Sequence, residues 1–412
     1  MRQNIINVKI ISIITALALL GDSMLYIVLP IYWKEMGLHS LWEVGILLSV
    51  NRFVRLPMNP MIGWLYQRIH FRNGMTIAVL LASLTTFLYS LEGFWLLFTA
   101  RCMWGIAWSF FRIGAFFFIM NVSNDGNRGR FMGTYNGLYR LGSLFGMLFG
   151  GVLAVLFNVS VVSILFSILS FTGLIFIFKY IDPSIKTSNH LPKSGHITGH
   201  MKRLIWNNQH VFWTLTTGLV IAMIYQGLFT STLSYLIHTL HGNVMYWGIS
   251  FGAAAIAGVI QALRWSWEPW LAPWFGRKSD GPKGRQPLLV GTLICSALLF
   301  SLLPLQLHFI IWLIVLIGIQ MTATILTTLI DALALDAANQ TTQRESVVTF
   351  HSVATDIGAA LGPLLGYFVY SYLDMKWIYW AVGFILILIT LRWMFPWKKQ
   401  QNTSLSNQNV SN

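Results

Sequence analysis

Arginine and carboxylate side chains stand at places where a long apolar chain should have none. Arg52, Arg55, Arg101, Arg112, Arg140 and Arg264, with Asp22, Asp331, Asp356 and Glu268, all fall within or at the ends of apolar runs. Such groups offer two kinds of chemistry. A buried carboxylate can carry a proton, its affinity set by the balance between desolvation and nearby arginine. A guanidinium fork matches a carboxylate or a phosphate. At the centre of a bilayer each charge costs about 2.5–3.5 kcal/mol, and the arginines together would cost roughly 15–21 kcal/mol if they faced lipid. They must face water, carboxylates or a ligand.

Their spacing puts them on shared helix faces. Arg52, Arg55 and Asn59 form one stripe, and Arg101, Gly105, Trp108 and Arg112 another. Gln261, Arg264 and Glu268 form a third, and Gln320, Thr324, Thr327 and Asp331 a fourth. Residues three, four or seven apart stack on one side of a helix, so stripes from at least four helices converge on one wet cavity. Tyr26, Tyr135, Tyr139, Tyr225 and Gln226 are placed at that cavity with Trp108. At about 1.5 Å per residue, Asp22, Arg52 and Arg264 fall near mid-membrane and Arg101 about a turn further out. Arg112, Arg140 and Asp356 fall in the inner third.

Each charge also has a structural reading. Arg101 can be a hydrogen-bond hub closing on Asp22 or on backbone carbonyls. Arg140 and Asp356 can form a gate pair between two halves of the chain. Arg264 and Glu268 can satisfy each other along one helix, and Arg112 and Asp331 can snorkel to the interface. Arg52 and Arg55 lack an obvious carboxylate partner on their own helix, which favours a functional role.

The elements that must position these groups are membrane spans. Of 412 residues 56% are hydrophobic and 10% charged, and the mean hydropathy is +0.64; soluble chains are about 25% charged. The apolar runs are continuous, which excludes a transmembrane β-barrel. With roughly 20 residues per span, the pattern predicts twelve helices: 8–33, 41–67, 74–91, 94–120, 131–157, 159–180, 210–237, 244–275, 287–305, 308–335, 346–372 and 376–395. The expected fold is an all-α polytopic membrane protein with two pseudo-symmetric six-helix bundles around a central cavity. Residues 1–180 form the first bundle, 181–209 a basic cytoplasmic linker, 210–395 the second bundle and 396–412 a disordered cytoplasmic tail. The first apolar run is too long for a signal-peptide core and is expected to stay as span one.

A net charge of +14 invites a nucleic-acid reading, but the placement of the charges excludes it. Apart from the span arginines, every Lys and Arg except Lys34 and Lys376 lies on one side of the predicted topology. That is the positive-inside pattern, and it puts both termini and the linker in the cytoplasm of a bacterial cell membrane. Cys102 and Cys295 lie in spans and imply neither a disulfide framework nor a metal site. The linker histidines, among them His190, His196 and His200, read as solvated chain. No nucleophile–base constellation and no phosphate loop is present, so neither an enzyme nor ATP-driven transport is expected, and no cofactor is implied.

The two halves repeat. Gly45 and Gly63 are separated by the same interval as Gly258 and Gly276, with Pro60 and Pro273 matched before the second glycine. Gly142, Gly146 and Gly150 in span five recur in span eleven as Gly358, Gly362-Pro363 and Gly366. Glycines at every fourth position leave a bare stripe along which another helix can approach closely.

These residues resemble the major facilitator superfamily along essentially the whole chain. Gly63-Trp64-Leu65-Tyr66-Gln67-Arg68 is similar to that family's cytoplasmic signature, with Gln67 where the family has Asp; Gly276-Arg277-Lys278-Ser279-Asp280 keeps the acid. Arg101 and Gly105 resemble the span-four motif. Gly142, Gly146, Gly150 and Gly151 resemble the exporter-branch glycine motif, with Met147 in place of Pro, and Asp22 with Pro30 resembles the drug:proton antiporter pattern. The resemblance implies gating by these motifs, including Gly358, Gly362 and Pro363, and alternating access with substrate held near the midplane. The Gln67 departure removes a charge–dipole term of about 0.3–1 kcal/mol.

The expected function is export of an anionic or zwitterionic small organic molecule (a metallophore, metabolite or antibiotic) in exchange for protons. Asp22 is the expected proton carrier and Asp356 the reserve. The expected partners are the small-molecule substrate, protons and the lipid bilayer, for a monomer that binds no nucleic acid. Three rivals stand beside it: efflux of lipophilic cations, proton-coupled uptake of an organic anion, and a membrane sensor that transports nothing.

Overall fold

The computed structural model describes residues 2–122, 128–182, 208–242, 244–246, 249–280, 284–339, 341 and 344–395. Most of the predicted linker and all of the predicted tail lie outside the described residues.

Among the described residues fourteen α-helices and one π-helical segment make up the twelve passes. The first half consists of α1 (Arg2–Tyr32), α2 (Leu41–Tyr66), α3 (Phe71–Leu88), α4 (Phe94–Val122), α5 (Arg128–Phe157), and α6 (Val159–Phe171) continued by α7 (Gly173–Tyr180). The second begins with one pass in three parts: α8 (Gln209–Ile221), a π-helical segment (Ala222–Phe229) and α9 (Thr230–His241). Then follow α10 (Ala253–Ser279), α11 (Gln286–Leu302), α12 (Phe309–Asn339), α13 (Arg344–Tyr370) and α14 (Met375–Met394). Nine helices among the described residues are long and apolar enough to cross a membrane by length and composition. The others are informative. Polar and charged residues at Asn51, Arg52, Arg55, Asn59, Arg264 and Glu268 dilute α2 and α10, which line the boundary between the halves, and α11 is short.

One predicted boundary is corrected. Residues 244–251 do not open span eight: β1 (Val244–Tyr246) and β2 (Ile249–Phe251) pair antiparallel, Val244 opposite Phe251, and the helix begins at Ala253 within an otherwise all-α fold. The β-branched and aromatic residues there suit a pleated surface. Gly242, at φ +60°, ends α9 just before the hairpin, a backbone geometry suited to glycine.

The glycine stripes work as close-packing faces in both bundles. A side chain on Gly142, Gly146 or Gly150 of α5 would overlap Ala16, Leu20 or Met24 of α1. One on Gly358 or Gly362 of α13 would overlap Leu219 or Met223 in the seventh pass. At Gly227 the π segment itself touches Gly362.

Among the described residues the closest backbone packing between the two bundles lies on one side of the membrane. Away from the basic loops, Gly45 of α2 sits against Pro363 and Tyr367 of α13, Gly258 of α10 against the Met147 carbonyl of α5, and Gly151 against the Ala254 carbonyl. Trp42 and Phe368 close the rim edge-to-face at 5.1 Å. One apolar cluster runs through both halves at this level, including Met24, Leu25, Ile224, Leu228 and Ala254. Toward the basic loops the first bundle has its own cluster around Ile14, Tyr66, Trp104 and Phe118. There Gly133 and Gly137 of α5 face open space, and Gly276 of α10 meets only Thr328 of its own bundle. Among the described residues the bundles are therefore less tightly packed toward the basic-loop side, where charged side chains span the boundary.

Candidate functional site

The deepest charge is Arg101, fully buried, and it forms an ion pair with Asp22 of α1. Its Nε donates to the Leu47 carbonyl at 2.8 Å and its Nη1 to the Tyr89 hydroxyl at 3.4 Å. The guanidinium lies 5.5 Å from the centre of the Tyr26 ring, whose hydroxyl donates to the Leu48 carbonyl at 3.3 Å. Gly105, one turn along α4, makes this reach possible: a Cβ there would press on the Asn51 carbonyl and on Val54, so α4 and α2 are almost in backbone contact. The Arg101–Gly105 spacing thus has a local cause.

Arg52 and Arg55 are different. Among the described residues no carboxylate lies within ion-pair distance of either, and the Nε of each is buried without a hydrogen-bond partner. Arg55 is 8% exposed and its guanidinium sits 5.2 Å from the centre of the Trp108 ring. Trp108 meets Tyr139 edge-on at 5.6 Å, and Tyr139 meets Tyr135 at 5.0 Å. Arg52 lies within hydrogen-bonding reach of the Tyr26 hydroxyl. Both arginines feel Asp22 and Asp356 at longer range. Asn59, a turn further along α2, keeps a buried amide oxygen without a partner.

The cross-bundle charges pair otherwise than the structural reading of the sequence expects. Arg140 of α5 pairs with Glu268 of α10, while Asp356 of α13 is 3.5 Å from Arg112 of α4, which also donates to Ser352 at 3.1 Å. Arg140 and Asp356 do not meet, because α5 packs on α10 and α13 packs on α2. Arg264 stands 4.0 Å from the second Glu268 oxygen, and both Arg140 and Arg264 lie 5.4 Å from the centre of the Trp265 ring.

Other predicted positions fall in different surroundings. Gln320 donates to Gln261 at 3.0 Å, and Trp267 donates to Thr324 at 3.3 Å, tying α10 to α12. Tyr225 is a correction. It does not face the boundary but turns into the second bundle, with its hydroxyl 2.5 Å from Ser296 and 2.8 Å from Thr322. Gln226, next to it in the π segment, is half-buried. Asp331 is largely exposed and bonds His351 at 2.9 Å, away from the other charges. Trp265, Tyr89 and His351 were not singled out by sequence reasoning. Trp265 carries a weak signal as the neighbour of Arg264, whereas nothing in the sequence brings Tyr89 or His351 to its partner.

At the basic-side loops, Asp280 pairs with Arg285 at 2.7 Å, and Arg285 reaches Asp336 at 2.6 Å and Ser279 at 2.8 Å. Hydrogen bonding to Asp336 raises the pKa of Arg285 further. In the first half Gly63 is buried, Gln67 is exposed, and Arg68 stacks on Trp64 at 3.8 Å. Among the described residues no cluster of His, Cys, Asp or Glu could hold a metal ion.

Two helical bundles of apolar passes, with charges paired across their boundary, define a polytopic membrane protein. The model of the Major Facilitator Superfamily matches residues 11–343 and 270–409, and the chain belongs to that family. Among solved structures, the nucleoside transporter NupG superposes with a TM-score of 0.76 at 13% identity, covering 95% of this chain and all of that one. A bacterial homolog of the human lysosomal transporter Spinster, inward-facing and occupied, gives 0.73 at 14% identity, covering 94% of this chain and 95% of that one. At such identities these two show the fold. The chromaffin granule amine transporter of Homo sapiens is 34% identical over 113 residues, and the match spans 27% of this chain and 22% of that protein. Membership of that family makes the protein a multi-pass membrane transporter rather than an enzyme.

Proposed function

We propose that this protein moves an anionic or zwitterionic small organic molecule across a bacterial cytoplasmic membrane, coupled to protons. The basic loops and both termini face the cytoplasm in this reading. The observation that carries it is the pair Arg52 and Arg55, the first half-buried and the second buried midway along α2, each without a carboxylate partner among the described residues, in the field of both Asp22 and Asp356. An anion supplies the missing charge.

The same charges favour a direction of coupling. A proton on Asp22 removes a negative charge beside Arg101, Arg52 and Arg55, so the site becomes more positive and holds an anion more tightly. By linkage the bound anion raises the proton affinity of Asp22 by the same factor. Mutually reinforcing ligands travel together, which is co-transport, and with an inward proton gradient it is uptake. Export in exchange for protons is the second reading, supported by the exporter-like stripe Gly142, Gly146 and Gly150. The segment similar to an amine transporter raises a cationic substrate, but such a cargo meets Arg52 and Arg55 with like charge.

Proteoliposomes holding a pH-sensitive dye test this. Entry of a labelled organic acid is expected to acidify the lumen, and Asp22→Asn is expected to remove that proton movement. Luminal alkalinisation during entry supports the exchange reading. Movement of a lipophilic cation in place of the acid overturns the anion reading.

A further inference from the structure

Unpartnered guanidinium and indole donors fall at two separate points of the boundary, one on each bundle. The first lies on α2 and α4, with the Nε of Arg52, the Nε of Arg55 and the indole N–H of Trp108. The second lies on α10, with the Nε of Arg264 and the indole N–H of Trp265. Arg55 and Arg264 are 8% and 4% exposed, so water does not serve them freely. Their electrical neighbours do not overlap. Arg55 feels Arg52, Asp356, Asp22 and Tyr26, whereas Arg264 feels Glu268, Arg140 and Tyr225. Glu268 does not quench the second point, because Arg140 takes one oxygen and the other stands 4.0 Å from Arg264.

Buried donors without acceptors are rare in folded proteins, and each calls for an explanation such as an ion or ligand. The unpartnered acceptors nearby are the neutral amide oxygens of Asn51, Asn59 and Gln320 and the second Glu268 oxygen; that single carboxylate stands against both Arg140 and Arg264, so positive charge stays in excess at the second point as well. A single carboxylate reaches one of the two points and leaves the other unserved. We propose that the transported molecule carries two acidic groups, one held by Arg52, Arg55 and Trp108, the other by Arg264 and Trp265. Such a dianion bridges the bundles and draws α2 and α10 together, whereas a monoanion binds one bundle alone. This inference rests on the anionic reading of the site given above.

Calorimetric binding to the purified full-length chain tests it, using aliphatic and aromatic dicarboxylates of graded spacing, each beside its monomethyl ester. At least one dicarboxylate is expected to bind tenfold or more tightly than its monoester. Arg55→Gln and Arg264→Gln are each expected to bring that ratio to about one. Arg264→Lys, which keeps the charge and loses the fork, is expected to retain part of the preference, and this separates lost recognition from lost folding. If monocarboxylates bind as tightly as every dicarboxylate, the two-acid inference falls and the anion reading stands. If no carboxylate binds, both fall.

Discussion

Asp22 and Tyr225 hold matched positions in the two bundles. Gly142 touches Ala16 on α1 and Gly358 touches Leu219 on α8; Asp22 and Tyr225 each follow six residues further on. Each reaches across its own bundle to a polar knot. In the first bundle the knot is ionic, Asp22 against Arg101, with Tyr89 and the Leu47 carbonyl beside it. In the second it is neutral, the Tyr225 hydroxyl between Ser296 and Thr322. The backbones also differ: α1 is regular, while the seventh pass widens into a π segment through Tyr225, opposite the Gly362-Pro363 step of α13. π-Bulges are frequent at functional sites. One scaffold thus carries a carboxylate–guanidinium pair in one half and a cluster of neutral hydroxyls in the other. On the proposed reading, the coupling chemistry belongs to the first bundle.

Three tests probe that contrast. Asp22→Asn carries the largest effect, because it leaves Arg101 buried without a counter-charge. The expected loss is about 3–5 kcal/mol, seen as a lower midpoint in thermal unfolding in detergent. Adding Arg101→Met is expected to recover a large part of it. If Asp22→Asn is silent, the knot is not ionic in the working protein. Second, Gly142→Val and Gly358→Val each drive a side chain into a backbone carbonyl of the facing helix. Overpacking of this kind costs about 1–3 kcal/mol, and similar losses in both are expected from the shared packing. A large loss in one alone breaks the equivalence of α5 with α13. Smallest is Tyr225→Phe, which removes one hydroxyl from a neutral knot. About 1 kcal/mol is expected, with the pH dependence of transport unchanged, and a shift in that pH dependence contradicts the placing of the coupling chemistry in the first bundle.

Part of the site is legible in the sequence because intramembrane charge is costly and helical spacing is regular. The stripe on α2 and the Arg101–Gly105 step follow from offsets alone. The pairing of the charges does not. Arg112, Arg140, Glu268 and Asp356 lie on four helices, and any exchange of partners among them leaves the sequence pattern unchanged. Tyr225 misled because a polar ring within an apolar run can face a cavity or its own bundle, and the choice depends on Ser296 and Thr322, far away in sequence. The hairpin at 244–251 escaped notice because a short run of apolar residues reads equally as the start of a helix or as strand.

The twelve-pass architecture, its internal duplication and its excess of buried arginine were set by the residues alone, since hydrocarbon tolerates only internally bonded backbone and punishes charge wherever it is unpaired. Which arginine meets which acid, which two are left over, and on which side of the membrane the bundles pack most closely were decided by helix packing in three dimensions. Glycine contacts at Gly45 and Gly258 bring the bundles together at one end, and that approach selects each partner from several of the same charge.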